Sequence, residues 1–253
     1  MQVALLITTY NRPDALNVVL ESVYGQTRFP NEVIVCDDGS KAPTRSLIAS
    51  WTAKLPVRYA WISDRQFRAS KTRNLGILKS QAELLIFVDG DCLLPPSFIE
   101  TQIKLARPGY VVAGGRRLLT SKQTESILVG REPLGAAFRS WKFTRYPLGP
   151  LRNLRTKDWS TVRTCNLSVH RDDVIRIAGF DEKFIGWGLE DTDFVFRLIR
   201  SGIKIRSGRL GVCVAHLHHE ENSRDQLSVN TTRFEEAVAN PDHVVAKSSM
   251  LAE

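Results

Sequence analysis

The chain has 253 residues, of which 43% are hydrophobic and 25% charged, and its formal net charge at pH 7 is +8. This composition is typical of a soluble globular protein with a large core, and the positive charge indicates an anionic partner or surface. No apolar run approaches the roughly 20 residues that cross a bilayer, so we expect no membrane-spanning helix.

The amino-terminal stretch MQVALLITTYNRP lacks the basic region and long apolar core of a signal peptide, and it predicts a first strand instead. The cysteines are widely spaced and form no CxxC pair: Cys36, Cys92, Cys165 and Cys213. Since each lies in or beside an apolar stretch, we predict buried free thiols in a reducing cytosol.

Apolar runs alternate with helix-like patterns through the first half of the chain. They predict strands at 3–8, 32–40, 57–62, 83–88 and 110–115, and helices at 13–26, 44–51, 70–80 and 96–106. This order predicts an α/β fold with a mostly parallel central sheet and helices on both faces. Ligands bind such sheets beyond the carboxyl ends of the strands, where the sequence places TTYNR, DDGS and DGD. No GxGxxG follows the first strand, which argues against a dinucleotide-binding fold.

The second half is less regular. Residues 169–177 have a helical pattern, and residues 190–202 predict an amphipathic helix with Phe194 in the core and Arg197 and Arg200 pointing outward. Two short strands should follow and end in a histidine cluster. The residues after 222 have weak periodicity and predict a peripheral helix or partial disorder.

The sequence LIFVDGD ends an apolar strand in two carboxylates, Asp89 and Asp91. A turn could use both as local hydrogen-bond acceptors, but the glycine between them also allows both to face one hard cation. His216 follows a predicted strand and adds an imidazole, a combination that suits Mn²⁺. His218 and His219 are alternative ligands.

A second acidic group, GWGLEDTD, stands where a loop enters the predicted helix. Glu190 and Asp191 are explained in part as acids that complement the dipole at the amino terminus of the helix. The bulky Trp187 between two glycines is not explained in that way. An aromatic wall for a sugar, beside a carboxylate that removes a hydroxyl proton, accounts for the whole stretch.

Residues 131–160 combine an excess of basic residues with aromatic ones. Eight basic and two acidic residues lie between Arg131 and Arg163. We interpret the segment as a docking face for an anionic membrane surface or a lipid-anchored glycan, with an acceptor-site lid as the alternative. A nucleic-acid-binding role is not favoured, because no RNA-binding or helix-turn-helix motif accompanies the charge.

Five motifs occur in a fixed order: TTYNRPDALNVVLESV, EVIVCDDGS, RNLGI, LIFVDGDCLLPPSFI and GFDEKFIGWGLEDTDFVFRLIRSG. Through them, residues 1 to about 220 resemble glycosyltransferase family 2, which has the glycosyltransferase-A fold. The carboxyl-terminal part is similar to the galactosyltransferase-type segment of β-1,4-galactosyltransferases and bacterial chondroitin-type polymerases. Leu189 departs from the glycine usual in galactosyltransferases, so the donor sugar of those enzymes does not transfer to this chain.

The resemblance implies a nucleotide pocket in which Asp38 hydrogen-bonds the uracil ring and Asp89 lies near the ribose. It implies a metal held by Asp91 and His216. The other nucleotide-binding positions that it implies are Thr8, Tyr10, Arg12, Arg73 and Asn74.

The resemblance also implies that Asp191 is the general base, that Glu190 holds an acceptor or donor hydroxyl, and that Trp187 lines the sugar sites. The expected activity is metal-dependent, inverting transfer of a UDP-hexose or UDP-N-acetylhexosamine sugar, with Mn²⁺ or Mg²⁺, to a hydroxyl of a glycan or lipid-linked acceptor in cell-surface polysaccharide synthesis. An inactive family member serving as a partner subunit and a nucleotidyltransferase are the alternatives.

The expected organisation is one compact domain. Residues 1–115 form its nucleotide-sugar-binding half, residues 116–222 its acceptor-binding and catalytic half, and residues 223–253 a peripheral tail. The expected location is the cytoplasm, with peripheral attachment to the inner membrane face.

Overall fold

The structure, a computed structural model, describes residues 1–138, 159–208, 211–220 and 223–252. The predicted membrane-docking segment at 131–160 therefore lies mostly outside the described residues. Within the described part, none of the helices is long and apolar enough to cross a membrane.

Strands and helices alternate through the first half, as predicted. The strands are β1 (Val3–Thr9), β2 (Glu32–Asp37), β3 (Val57–Trp61), β4 (Leu84–Asp89), β5 (Cys92–Leu93), β6 (Tyr110–Ala113), β7 (Gly115–Leu118), β8 (Asn166–His170), β9 (Lys204–Ser207) and β10 (Cys213–His216). The helices are α1 (Pro13–Tyr24), α2 (Ala42–Trp51), α3 (Ala69–Lys79), α4 (Phe98–Leu105), α5 (Ser121–Leu128), α6 (Arg171–Arg176), α7 (Glu190–Arg200) and α8 (Leu227–Ala239).

The described residues form a seven-stranded sheet in the order β3-β2-β1-β4-β8-β6-β9 and a three-stranded sheet in the order β5-β10-β7. In the large sheet only β8 runs antiparallel to its neighbours, so the prediction of a mostly parallel sheet is confirmed. Because β8 pairs with both β4 and β6, the two predicted halves of the chain share one sheet.

Both faces of the large sheet are buried. Successive residues of a strand point to opposite faces. Leu5 of β1 accordingly packs in one core cluster with Leu16 and Val19 of α1, whereas Leu6 packs in the other with Ile77 of α3. Strands β1, β2 and β4 are buried almost throughout, and polar side chains such as Thr8, Asp37 and Asp89 lie near their carboxyl ends.

Residues 169–177 are not one helix, contrary to the sequence pattern. Val169 and His170 belong to β8, where Val169 pairs with Leu85 of β4, and α6 begins only at Arg171. The first four residues of this short strand are all buried, so it lacks the alternation that distinguishes a strand from a helix.

The cysteines of the described residues are free thiols, as predicted. Cys36, Cys92 and Cys165 are buried, and Cys213 is partly exposed.

Arg197 was expected to point outward from α7, and this expectation is wrong. Its side chain is fully buried, and its Nε donates a hydrogen bond of 2.8 Å to Asp193. Its Nη1 donates to the carbonyls of Ile177 and Gly179 at 2.9 and 2.7 Å. His243, from the carboxyl-terminal residues, places its Nε2 2.8 Å from the second oxygen of Asp193. A buried ionic network therefore joins α7 to segments on either side of it in the chain.

We predict that Arg197→Ala lowers the free energy of unfolding by about 3 to 5 kcal/mol, because it removes the cation paired with the buried Asp193 carboxylate and a hydrogen-bond donor from the carbonyls of Ile177 and Gly179. Urea denaturation measures the change. Arg131→Ala is the matched control, since Arg131 and its partner Glu125 are both largely exposed, and it should change stability by less than about 1 kcal/mol. Equal effects of the two substitutions would contradict the buried network.

The carboxyl-terminal residues are closely packed on the fold. Asn230 of α8 and His243 are buried, as is Leu251. The Asn230 amide donates to the carbonyls of Ile185 and Gly188 at 3.0 and 3.1 Å. Residues of this segment therefore support the loop that precedes α7.

Candidate active site

A cleft of about 880 Å³ lies beyond the carboxyl ends of the parallel strands. It forms because the turns after β1, β2 and β4 meet at one edge of the sheet, with the loop before α7 and the end of β10 facing them. The predicted site residues that line it are Thr8, Tyr10, Arg12, Asp38, Arg73, Asp89, Asp91, Trp187, Glu190, Asp191 and His216.

Asn74 is the predicted site residue that the structure does not bring to this cleft. Its side chain is fully buried and exchanges two hydrogen bonds of 2.8 and 2.9 Å with the backbone of Phe180. It also donates to Glu182 and Ser249. Asn74 thus joins α3 to the segment between α6 and α7, and its position in the RNLGI motif is accounted for by packing.

Asp91 faces two imidazoles. Its Oδ1 lies 3.5 Å from His216 Nε2 and its Oδ2 lies 3.4 Å from His219 Nε2. The register of β5 and β10 produces the first contact, because Cys92 pairs directly with His216 and the Leu217 N–H donates to the Asp91 carbonyl at 2.8 Å. Within the described residues, these are the two imidazoles that lie within 4 Å of this carboxylate.

The hydrogen bonds of the two imidazoles suit a bound cation. His216 Nδ1 lies 2.9 Å from the Leu217 carbonyl, and His219 Nδ1 lies 2.6 Å from the Glu220 carbonyl. Because a carbonyl only accepts, each Nδ1 donates a proton to its carbonyl, and Nε2 of each ring faces Asp91. A carboxylate that faces two imidazole nitrogens is an arrangement that can hold a divalent cation, and such Nδ1 bonds are usual in metal-binding histidines. Asp91 and His216 therefore fit a metal, with His219 as a further candidate ligand.

Arg73 holds the acidic side chains of the cleft together. Its guanidinium lies 3.2 Å from Glu190, 3.4 Å from Asp89 and 3.2 Å from the Thr8 hydroxyl. Burial lowers the pKa of Arg73, but the surrounding carboxylates Glu190, Asp89 and Asp191 outweigh this effect and raise it. Arg73 is therefore a permanent positive charge that links β1 and β4 to the first turn of α7.

Asp191 is the carboxylate with the properties of a base. Burial, followed by the negative charge of Glu190, raises its pKa to about 6. Arg163 opposes this shift, with its Nε 3.9 Å from the carboxylate. A carboxylate whose pKa lies close to neutrality is suited to accept a proton from a substrate.

The loop before α7 presents Trp187 to the cleft. Gly186 and Gly188 have φ angles of 79° and 107°, which favour glycine, and a Cβ on Gly186 would lie 2.6 Å from the Gln226 side chain. Trp187 remains 38% exposed, with the Arg224 guanidinium 5.1 Å from its ring. Leu189 keeps a φ of 71°, so the backbone retains a left-handed conformation at the position where galactosyltransferases have glycine.

Asp38 and Tyr10 lie at the other end of the cleft. Asp38 accepts the backbone N–H of Arg68, and its Oδ1 lies 3.9 Å from the Arg68 Nε. Burial raises the pKa of Asp38 to about 6. The Tyr10 hydroxyl donates to Asp64 at 3.2 Å, and Arg12 lies 3.8 Å from Asp91.

Sequence reasoning gave no role to Arg163, which the structure pairs with Asp191. Arg163 was counted only as one charge of the basic segment, and no spacing signal links it to a residue 28 positions later. His219 was named only as an alternative metal ligand, because three histidines in four residues do not show which of them face inward.

The chain matches two families of known proteins. Residues 4–175 match the family described as Glycosyl transferase family 2, and residues 153–220 match the N-terminal domain of galactosyltransferase. A curated relative is the validoxylamine A glucosyltransferase of Streptomyces hygroscopicus subsp. limoneus, which is 30% identical over 253 residues, covering 91% of this chain and 55% of that protein. The chain thus spans little more than half the length of this relative.

Two solved structures show the same fold. The crystal structure of S. aureus TarS residues 1–349 in complex with UDP has a TM-score of 0.68 at 17% identity, covering 96% of this chain and 67% of that one. The mannosyltransferase PcManGT from Pyrobaculum calidifontis, in complex with GDP-Man and Mn²⁺, has a TM-score of 0.67 at 17% identity, covering 94% and 64%. These matches confirm both parts of the resemblance: the chain has the glycosyltransferase-A fold and belongs to glycosyltransferase family 2.

Proposed function

We propose that the protein is a metal-dependent, inverting glycosyltransferase. It transfers a sugar from a nucleotide-sugar, a UDP-hexose or UDP-N-acetylhexosamine, to a hydroxyl of a glycan or lipid-linked acceptor in cell-surface polysaccharide synthesis. One observation carries the proposal: a single cleft contains both a carboxylate suited to be a base, Asp191, and a carboxylate–imidazole group suited to hold a cation, Asp91 with His216.

The residues of the cleft have different roles in the proposed reaction. Asp191 accepts the proton of the acceptor hydroxyl as that oxygen attacks the anomeric carbon. Glu190, fixed by Arg73, accepts a hydrogen bond from a sugar hydroxyl, and the face of Trp187 packs on the sugar. Asp91 and His216 would hold a divalent cation, which would supply positive charge against the negative charge of the leaving diphosphate. Attack by the acceptor in one direct displacement inverts the configuration at the anomeric carbon.

The donor nucleotide is proposed to be uridine diphosphate. A buried carboxylate such as Asp38 can accept the N–H of a uracil ring, and TarS, which shares the fold, has been crystallised with UDP. PcManGT carries GDP-Man, so the fold accommodates either nucleotide. Incubating the protein with a panel of UDP- and GDP-sugars and Mn²⁺ tests the proposal through slow donor hydrolysis and through thermal stabilisation. A protein that neither hydrolyses nor is stabilised by any of them would contradict it.

The pKa of Asp191 predicts the pH dependence of the reaction. A base whose pKa is raised to about 6 is protonated below that pH and cannot accept the hydroxyl proton. We predict that kcat/KM is level above about pH 6 and falls about tenfold for each pH unit below it. Because Glu190 lies beside Asp191, the measured value belongs to the pair. A level profile down to pH 4.5 would contradict the assignment of Asp191 as base.

Arg163→Gln provides a second test of the same profile. Arg163 lowers the pKa of Asp191, so its removal should move the acidic limb of the profile to higher pH. The matched substitution Arg65→Gln changes an exposed arginine outside the residues that line the cleft. Arg65→Gln should leave the acidic limb of the kcat/KM profile in place. An equal shift in both variants would show that the net charge of the protein, not contact between Arg163 and Asp191, moves the limb.

We further propose that the protein works in the cytoplasm at the inner face of the membrane, bound there through residues 131–160. The support is the sequence of that segment, in which seven basic residues are interspersed with aromatic ones. We predict that Lys142→Glu with Arg145→Glu reduces flotation with vesicles that contain anionic lipids, as each basic residue near the surface contributes about 1 kcal/mol. Equal flotation of the variant and the wild type would end this part of the proposal.

A further inference from the structure

A third potential metal ligand lies beneath the Asp91–His216 pair. The Cys92 thiol is 3.7 Å from Asp91 Oδ1, and the ligand atoms of Asp91, Cys92 and His216 all lie within 4.8 Å of one another. Cys92 and His216 are directly opposed residues of β5 and β10, so their side chains leave the small sheet on the same face. The thiol is thus aimed at the carboxylate by the strand register.

The three groups differ in burial. The side chains of His216 and Asp91 are 10% and 16% exposed toward the cleft, whereas Cys92 is fully buried. An ion that binds at the surface of the cleft contacts the carboxylate and the imidazole first. The thiol becomes a ligand only for an ion that moves inward.

The distances suit a tetrahedral ion. Bonds of 2.0 to 2.3 Å from Zn²⁺ to oxygen, nitrogen and sulfur place neighbouring ligand atoms about 3.4 to 3.6 Å apart. The Asp91 Oδ1 atom already lies 3.5 Å from His216 Nε2 and 3.7 Å from Cys92 Sγ. Two of the ligand-to-ligand distances in the structure are therefore close to those of a tetrahedral zinc site.

We propose that this site also binds a soft divalent cation, of which Zn²⁺ is the model, with Cys92 as a third protein ligand beside Asp91 and His216. The Sγ–metal bond forms as the thiol proton passes to solvent, and no electron is transferred. Hard ions such as Mg²⁺ and Mn²⁺ prefer oxygen ligands and do not require the sulfur, whereas thiolate favours Zn²⁺. The soft ion uses Asp91 and His216, the ligands of the proposed catalytic ion, and so excludes it, which makes Zn²⁺ a competitive inhibitor of Mn²⁺.

The inference rests on the proposed metal site but not on sugar transfer, and it is tested by binding alone. The wild-type protein loaded with Co²⁺ should show near-ultraviolet thiolate-to-cobalt absorption. Cys92→Ser should lose this absorption and weaken Zn²⁺ binding at least about tenfold. Loss of a residue that only hydrogen-bonds a metal ligand already costs about tenfold in affinity, and loss of a direct ligand should cost no less. Binding of Mn²⁺, followed by electron paramagnetic resonance, should be retained in the same variant.

Cys213→Ser is the matched control, because Cys213 lies on β10 with His216 and is partly exposed. It should keep the cobalt absorption. X-ray absorption of the Zn²⁺-loaded wild type removes any dependence on the folding of a variant: a sulfur neighbour at about 2.3 Å is expected. A zinc shell of nitrogen and oxygen alone, or cobalt absorption that persists in Cys92→Ser, would overturn the proposal. Failure of Mn²⁺ to bind while the sulfur signal appears would instead refute the proposed catalytic ion.

Discussion

Asp191→Asn is expected to abolish most sugar transfer while leaving nucleotide-sugar binding intact. The amide has the shape of the carboxyl group but cannot accept the proton of the acceptor hydroxyl, and a general base typically contributes a factor of about 10² to 10⁴. The variant should fold at least as stably as the wild type, because burial of the ionised carboxylate is what raises the pKa of Asp191. Turnover with an accepting glycan and calorimetric titration with UDP separate the two effects.

Asp14→Asn is the control for this substitution. Asp14 also lies in the first turn of a helix, α1, but it is exposed and does not line the cleft. It should transfer sugar at the wild-type rate. Turnover of Asp191→Asn close to that of the control would remove Asp191 as the base, and loss of UDP binding together with turnover would show that the side chain holds the donor.

The sequence was sufficient to predict the edge of the sheet at which the site forms. A strand that is buried on both faces tolerates polar side chains only at its ends, so Asp38 and Asp91 had to follow β2 and β4 as they do. Parallel order then brings these ends to the same edge. The loop at Trp187 was equally predictable, because its glycines permit positive φ angles that few other residues adopt.

Other features depend on partners distant in the sequence, which no local pattern reveals. Arg197 has the spacing of an exposed helix position, yet Asp193 and two carbonyls hold it in the core. Asn74 lies within a recognised motif, yet its amide binds Phe180 and Ser249, 106 and 175 residues away. In both residues a polar group is buried because another segment of the chain supplies hydrogen-bond partners for it.

The histidine cluster shows the same limit within four residues. The sequence favours His216 as the ligand because it follows a predicted strand, but it does not show whether His218 or His219 also faces the carboxylate. The structure separates them, since the rings of His216 and His219 both turn Nε2 toward Asp91 while the His218 backbone binds the Thr124 hydroxyl. The choice is made by the pairing of β10 with β5, which is a tertiary contact.

Asp91→Asn is expected to weaken Mn²⁺ binding and to remove Mn²⁺-dependent activity. The amide keeps one neutral oxygen and loses the charge that balances a divalent cation, so the metal affinity should fall at least about tenfold. Turnover at fixed Mn²⁺ should fall about 100-fold or more, since a bound cation contributes several kcal/mol to stabilisation of the leaving group. Electron paramagnetic resonance of Mn²⁺ measures the binding, and donor hydrolysis measures the turnover.

A pair of histidine variants completes this test. His216→Gln removes an imidazole that faces Asp91 and should weaken Mn²⁺ binding as Asp91→Asn does. His218→Gln changes an exposed ring and should bind Mn²⁺ as the wild type does. If His218→Gln weakens binding and His216→Gln does not, the ion lies elsewhere in the cleft and Asp91 acts through its contact with Arg12. If neither variant weakens Mn²⁺ binding, His216 is not a ligand of the ion.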